Sequence, residues 1–296
     1  RYSYTHNYYT TRPSSSISPL PSSVYDKNNN GRQSQCAMYY QNSCYNQEQN
    51  FGSLAAEWKS RFAEGNGNNI LRATWSHQYE PRSYNGGLFP TVDILGEEIN
   101  GKPSVLCSFG TDPFTFGNLR DVHTVNITDD VTYTVGKHTV TAGAQFEWNS
   151  GKNGFMQMGN GYFLYNSWED FKNQATPLAF VMTHPNDDNP ANQQFPTIAT
   201  TKYSVYAQDE IDLHKQFKMT VGLRLEMPSY PTLDNENKQF TEIYKETTGW
   251  QTNQVPKAYL NISPRLGFNW DVLGNKRMIV RGGTGVFAGN LPMVWL

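Results

Sequence analysis

A chain of 296 residues with 17% charged residues and a formal charge of −2 has no basic footprint, which argues against nucleic acid as a partner. Its hydrophobic content of 37%, its mean hydropathy of −0.65 and the lack of any long apolar run exclude a transmembrane helix. They do not exclude a membrane barrel, whose strands hide their hydrophobicity by alternation, and an aromatic content of 14% suits strands, interfacial girdles or sugar-binding loops.

Residues 1–9 alternate from the first position, with neither an initiator Met nor a signal peptide, so the chain is expected to be a piece of a longer protein. Residues 11–50, rich in Ser, Pro, Asn and Gln, predict a loop. Residues 51–62 predict a strand with Leu54, Ala56, Trp58 and Phe62 on one face and Glu57, Lys59 and Arg61 on the other. Gly65-Asn66-Gly67-Asn68 marks a turn, after which Leu71, Ala73 and Trp75 alternate with Arg72, Thr74 and Ser76. A second long loop covers residues 81–119. The next hairpin turns at Gly136-Lys137, with Val125, Ile127, Val131, Tyr133 and Val135 before it and Val140, Ala142, Ala144, Phe146 and Trp148 after it. Residues 149–200 predict a third loop, in which Ser167 caps a short helix. Residues 203–226 predict a hairpin with a polar turn near residue 214, Val205 and Ala207 pairing in parity with Met219, Val221, Leu223 and Leu225. A fourth loop covers residues 227–258, and a last hairpin turns near residue 274, with Leu266, Phe268 and Trp270 before it and Val280 and Val286 after it.

Four tight turns near residues 66, 136, 214 and 274 alternate with four long loops, so all tight turns lie at one end of the strands. That asymmetry, with strands of about ten residues, is the pattern of an outer-membrane barrel. The expected fold is all-β: about nine antiparallel transmembrane strands spanning residues 1–296, with long extracellular loops and short periplasmic turns. A soluble β-sandwich also alternates, but it does not ordinarily carry strands this long or confine its long loops to one end. Tyr133 and Trp270 near the turns, and Trp148 and Tyr203 near the loops, fit aromatic girdles. Asp129 and Asp209 fall on outward rows, where a carboxylate is costly, and Asp129-Asp130 is a candidate bulge that would reset the register. Glu147, Glu210, Arg224, Glu226, Arg265 and Arg281 fall on the inward parity and are expected to line the lumen, paired with one another or with a plug.

Tyr206-Ala207-Gln208-Asp209-Glu210 followed by Thr220-Val221-Gly222-Leu223-Arg224-Leu225-Glu226 resembles the paired-strand signature of TonB-dependent outer-membrane receptors. Ser263-Pro264-Arg265-Leu266-Gly267-Phe268, Val280-Arg281-Gly282-Gly283-Thr284-Gly285-Val286-Phe287 and the stretch from His138 to Glu147 resemble further strands of that family. The similarity is nearest to the Oar-like branch, whose members carry a carboxypeptidase-regulatory-like domain before the plug, with SusC-like proteins more distant. It implies a cell outer membrane location, a barrel of about 22 strands filled by an N-terminal plug, outer-membrane lipid around it, and TonB as a partner through a segment not in these residues.

Chemistry-bearing motifs are few. Asp26-Lys27-Asn28-Asn29-Asn30-Gly31 matches half of a calcium loop, but Ala37 stands where a bidentate Glu is needed, so an Asn-rich turn is the simpler reading. His6, His77, His123, His138, His184 and His214 lack metal-ligand spacing. No nucleophile motif is present, and acidic pairs on neighbouring strands are explained by lumen lining more simply than as a glycosidase pair, so neither an enzyme nor a cofactor is expected. Cys36 and Cys44 lie in one loop and predict a disulfide, worth about 2–3 kcal/mol on the chain-entropy model. Cys107 is left over or pairs with a cysteine outside these residues. Tyr39, Tyr40, Tyr45, Phe155, Tyr162, Tyr165 and Trp168 are candidate contacts for an extracellular ligand, although each serves loop packing equally well. Three functions follow: a receptor moving a bulky solute such as a peptide or glycan, an outer-membrane barrel whose loops bind a partner protein, or a soluble β-rich binding module.

Overall fold

The computed structural model describes residues 1–15, 30–184, 195–231 and 236–290. Nine long strands form one antiparallel path: β1 (Tyr2–Thr11), β3 (Tyr45–Phe62), β4 (Gly67–Glu80), β8 (Leu119–Val135), β9 (His138–Gly154), β12 (Thr197–His214), β13 (Phe217–Ser229), β14 (Asn261–Asp271) and β15 (Ile279–Gly285). Each pairs with its neighbour in this order, and among the described residues β1 and β15 stand at opposite edges of an open wall. Threonine, valine and aromatic residues at period two suit a pleated surface, and Gly136, at φ +59°, supplies the left-handed position of the two-residue turn between β8 and β9.

The register decides the faces. Tyr203, Val205 and Ala207 of β12 stand opposite Met227, Leu225 and Leu223 of β13, and Val221 and Met219 stand opposite Leu266 and Phe268 of β14. Among the described residues this apolar face packs on no protein core: Leu223 is 45% exposed and Phe268 39%. Tyr133, Trp270 and Tyr203 are exposed on the same face, at the ends expected for girdles. The register runs unbroken through Asp129-Asp130, so the expected bulge is absent there. Asp129 stays outward and accepts a hydrogen bond from Asn69 of β4, while Asp130 turns inward. Asp209 is likewise partnered, by His138 Nδ1 at 2.6 Å near the β8–β9 turn.

The long loops hold a second sheet. It runs β11 (Ala179–Val181), β10 (Tyr162–Tyr165), β6 (Thr91–Ile99), β7 (Lys102–Phe109), β2 (Met38–Tyr39), so that three loops contribute strands to one cap. β5 (Arg82–Tyr84) pairs with the loop end of β3. Leu95, Val105, Met158, Tyr162 and Leu164 fill one side of the cap sheet, and Val92, Ile94 and Cys107 fill the other. Fully burying each large aliphatic here stabilises the cap by about 1.5–3 kcal/mol. The helix Trp168–Lys172 covers the second side, and its expected cap forms: Ser167 Oγ accepts the Asp170 N–H at 3.1 Å. A further helix, Lys238–Thr248, occupies the fourth loop.

Candidate functional site

Two constellations stand out, one in the cap and one on the inward face of the wall. In the cap, β6 places Asp93 among apolar neighbours with no exposure, and Arg32 reaches it from the first loop. Arg32 Nε and Nη2 donate to the Asp93 carboxylate at 2.9 and 2.8 Å, Tyr162 Oη donates to it at 2.8 Å, and Ser108 Oγ donates from β7. Burial works against the Arg32 charge, but the Asp93 carboxylate outweighs it and raises the guanidinium pKa overall. Burial pushes the Tyr162 phenol well up, so it stays a neutral donor. Asp112 beside them is raised by burial, against N–H donors from Ser14 and Phe114. Asn30 donates to the carbonyls of Ile99, Lys102 and Pro103 and so clasps the β6–β7 turn. This polar knot locks the loops together.

The locked cap presents rings on its surface. Tyr40 from the first loop stands edge-on to Phe109 of β7 at 6.1 Å, Phe109 meets Phe171 at 5.3 Å, and Phe171 meets Tyr165 at 5.3 Å and Trp168 at 5.6 Å. Three loops thus build one continuous aromatic cluster, in which Phe109, Tyr165 and Phe171 are half-buried against Val92, Ile94 and Cys107 and only Tyr40 and Trp168 are exposed. Such rings stack on sugar faces and grip apolar peptide side chains.

On the inward face, charged groups form a ladder across the wall. Glu57 of β3 pairs with Lys59 and with Arg72 of β4, and Arg72 reaches Asp130 of β8 at 3.2 Å. Tyr206 of β12 donates to Asp130 by lying across Gly143 of β9, where an added Cβ would stand 2.5 Å from the ring. The Arg224 guanidinium sits 5.0 Å above the Tyr206 ring, donates to Gln145 at 2.5 Å and pairs with Glu226 at 2.9 Å. Toward the loops, Lys202 pairs with Glu147 at 3.5 Å beside a cleft of about 200 Å³ lined by Asn149, Glu226 and Asn261.

The sequence-derived site residues divide accordingly. Arg224 pairs with Glu226, Glu147 with Lys202, and Glu210 with Lys218 at 2.9 Å near the turns, all on the face opposite the apolar one. Arg265 lies over the Phe287 ring at 5.2 Å, and Arg281 makes no ion pair among the described residues. Tyr40, Tyr165 and Trp168 join the aromatic cluster. Phe155 is exposed apart from it, Tyr39 sits in β2, and Tyr45 stands 5.8 Å from the Arg82 guanidinium. Tyr162 is a correction: it has no exposure and belongs to the Asp93 knot, so it meets no ligand at the surface. The Cys36–Cys44 disulfide is another: both are free thiols. The segment between them extends as β2 against β7 and leaves each in its own turn. Cys107 is buried beside Val92 and Ile94 on one side of the cap sheet, and that burial raises its pKa. Asp26 to Asn29 of the calcium-loop match lie outside the described residues. Phe109 and Phe171 were missed, as was the Arg32–Asp93 pair. The usable signal was Asn100-Gly101 between two apolar runs, a two-residue hairpin turn with φ +56° and +71°.

The chain matches the family described as outer membrane beta barrel domain over residues 1–294. It belongs to that family. The match places the chain in the outer membrane, where the exposed apolar face of the wall suits contact with lipid, and the long loops and their cap lie at the end of the wall opposite the tight turns. No curated protein matches the chain.

Proposed function

We propose that this outer membrane beta barrel domain belongs to a TonB-dependent receptor that moves a bulky solute, a peptide or glycan, across the outer membrane. The observation that carries the reading is the aromatic cluster of Tyr40, Phe109, Tyr165, Trp168 and Phe171, gathered from three loops and held rigid by the Arg32–Asp93 knot beneath it. Rigid aromatic platforms lose little entropy on binding. The inward ladder supports passage controlled by a plug: its charges are mutually paired, as suits a partly dehydrated lumen, where unpaired charge is expensive. The motif resemblance around Tyr206 and Arg224 supports the TonB-dependent class and its Oar-like branch. The reading asks for no catalysis and no cofactor, only capture and energised movement, with TonB engaged through a segment outside this chain.

The test is planar-bilayer recording on the full-length protein, beside glycan and peptide arrays. A receptor stays closed, Arg224→Ala or Glu226→Ala raises its leak, and Trp168→Ala abolishes array binding. A large steady conductance in the parent protein contradicts the receptor reading. Binding of a folded partner protein with no solute uptake turns it toward an outer-membrane adhesion barrel.

A further inference from the structure

His77 and His123 stand directly opposite each other in the β4–β8 pairing. Their rings stack at 4.0 Å with 6° between planes. Both Nε2 atoms are aimed at one carboxylate oxygen, Asp121 Oδ1, at 2.8 Å from His77 and 3.5 Å from His123. Trp75 flanks both rings at 6.1 Å and Tyr79 flanks His77 at 6.1 Å, so the pair is held in place from either side. One donor atom from each of the three residues lies within 4.8 Å of the other two.

We propose that His77, Asp121 and His123 form a binding site for a divalent transition-metal ion of the zinc class. In a tetrahedral site with metal–ligand distances of about 2.0–2.1 Å, donor atoms stand roughly 3.3 Å apart, so these three need close by no more than about 1.5 Å. The side chains are 32%, 27% and 37% exposed, which gives an ion a path in and leaves a coordination position for water. Two imidazoles and one carboxylate suit Zn²⁺, Ni²⁺ or Cu²⁺, whereas Mg²⁺ and Ca²⁺ demand oxygen shells. The position gives the ion a task. β4 and β8 enclose residues 81–118, the excursion that carries β5, β6 and β7, and the three ligands sit where that excursion leaves the wall. A bound ion clamps its neck.

The experiment is calorimetric titration of Zn²⁺ into untagged full-length protein in detergent, with Mg²⁺ as comparison. The parent is expected to bind one Zn²⁺ per chain and to ignore Mg²⁺. His77→Ala and His123→Ala are expected to weaken binding at least tenfold, which is about 1.4 kcal/mol, and His138→Ala, at the opposite end of the wall, to leave it unchanged. Zinc X-ray absorption on the parent gives a reading that needs no variant: the proposal expects two imidazoles with oxygen. Absence of binding to the folded parent, variants that bind as the parent does, or a shell of sulfur from the free cysteines overturns it.

Discussion

Gly143 makes room for the Tyr206 rung of the inward ladder. Tyr206 reaches Asp130 on β8 only by crossing β9 where no side chain stands. Gly143→Ala should push the ring aside and cost about 1–3 kcal/mol by overpacking, read from urea unfolding in detergent micelles. Tyr206→Phe should cost less, because Asp130 keeps Arg72. Equal stability of Gly143→Ala and parent would show that the ring has another route. In the cap, Arg32→Ala leaves Asp93 buried without its countercharge and should cost about 3–5 kcal/mol, whereas Arg32→Met with Asp93→Leu should recover most of the loss. Hydrogen exchange at β6 and β10 amides reports it, and fast exchange confined to the double variant would contradict it. The inward parity of Arg224 and Glu226 was legible because period two assigns every residue of a strand to a face. Arg32 was not, since nothing local distinguishes an arginine that will be buried by segments far along the chain.

At the scale of elements, legibility followed exposure. The middle of each wall strand alternates because one face meets lipid and the other a polar lumen. At the loop ends polar residues occupy both faces, as in Asn46-Gln47-Glu48-Gln49-Asn50, and the alternation fades, so β3 starts at Tyr45 instead of residue 51 and β9 runs to Gly154. The cap strands Thr91–Ile99 and Lys102–Phe109 are largely buried on both sides and bury polar residues such as Asp93, Ser104 and Ser108, so they show no apolar–polar alternation and read as part of a loop. Their turn was the exception. Gly101→Val places a β-branched residue at φ +71° and should destabilise the β6–β7 hairpin by about 1–3 kcal/mol. The expected readout is faster amide exchange in β6 and β7 with β12 and β13 unaltered. Exchange that rises equally in the wall would mean that cap and wall do not open separately.

For the whole molecule, what matters is which solvent each face of the wall meets. Leu223 is the middle residue of β13, outward and exposed, while Thr220 of the same strand faces inward. Leu223→Arg should cost about 2–4 kcal/mol of folding free energy in a bilayer, and Thr220→Asn under about 1 kcal/mol. Comparable costs at the two sites would contradict the assignment of faces. The most direct measurement is spin-label accessibility at single cysteines replacing Leu223 or Thr220, with Cys36, Cys44 and Cys107 removed and the protein in a bilayer. The label at Leu223 is expected to collide with membrane-dissolved oxygen and not with a water-soluble nickel complex, and the label at Thr220 to be shielded from lipid. A label at Leu223 that meets the nickel complex freely, or neither reagent, would contradict a lipid-facing wall.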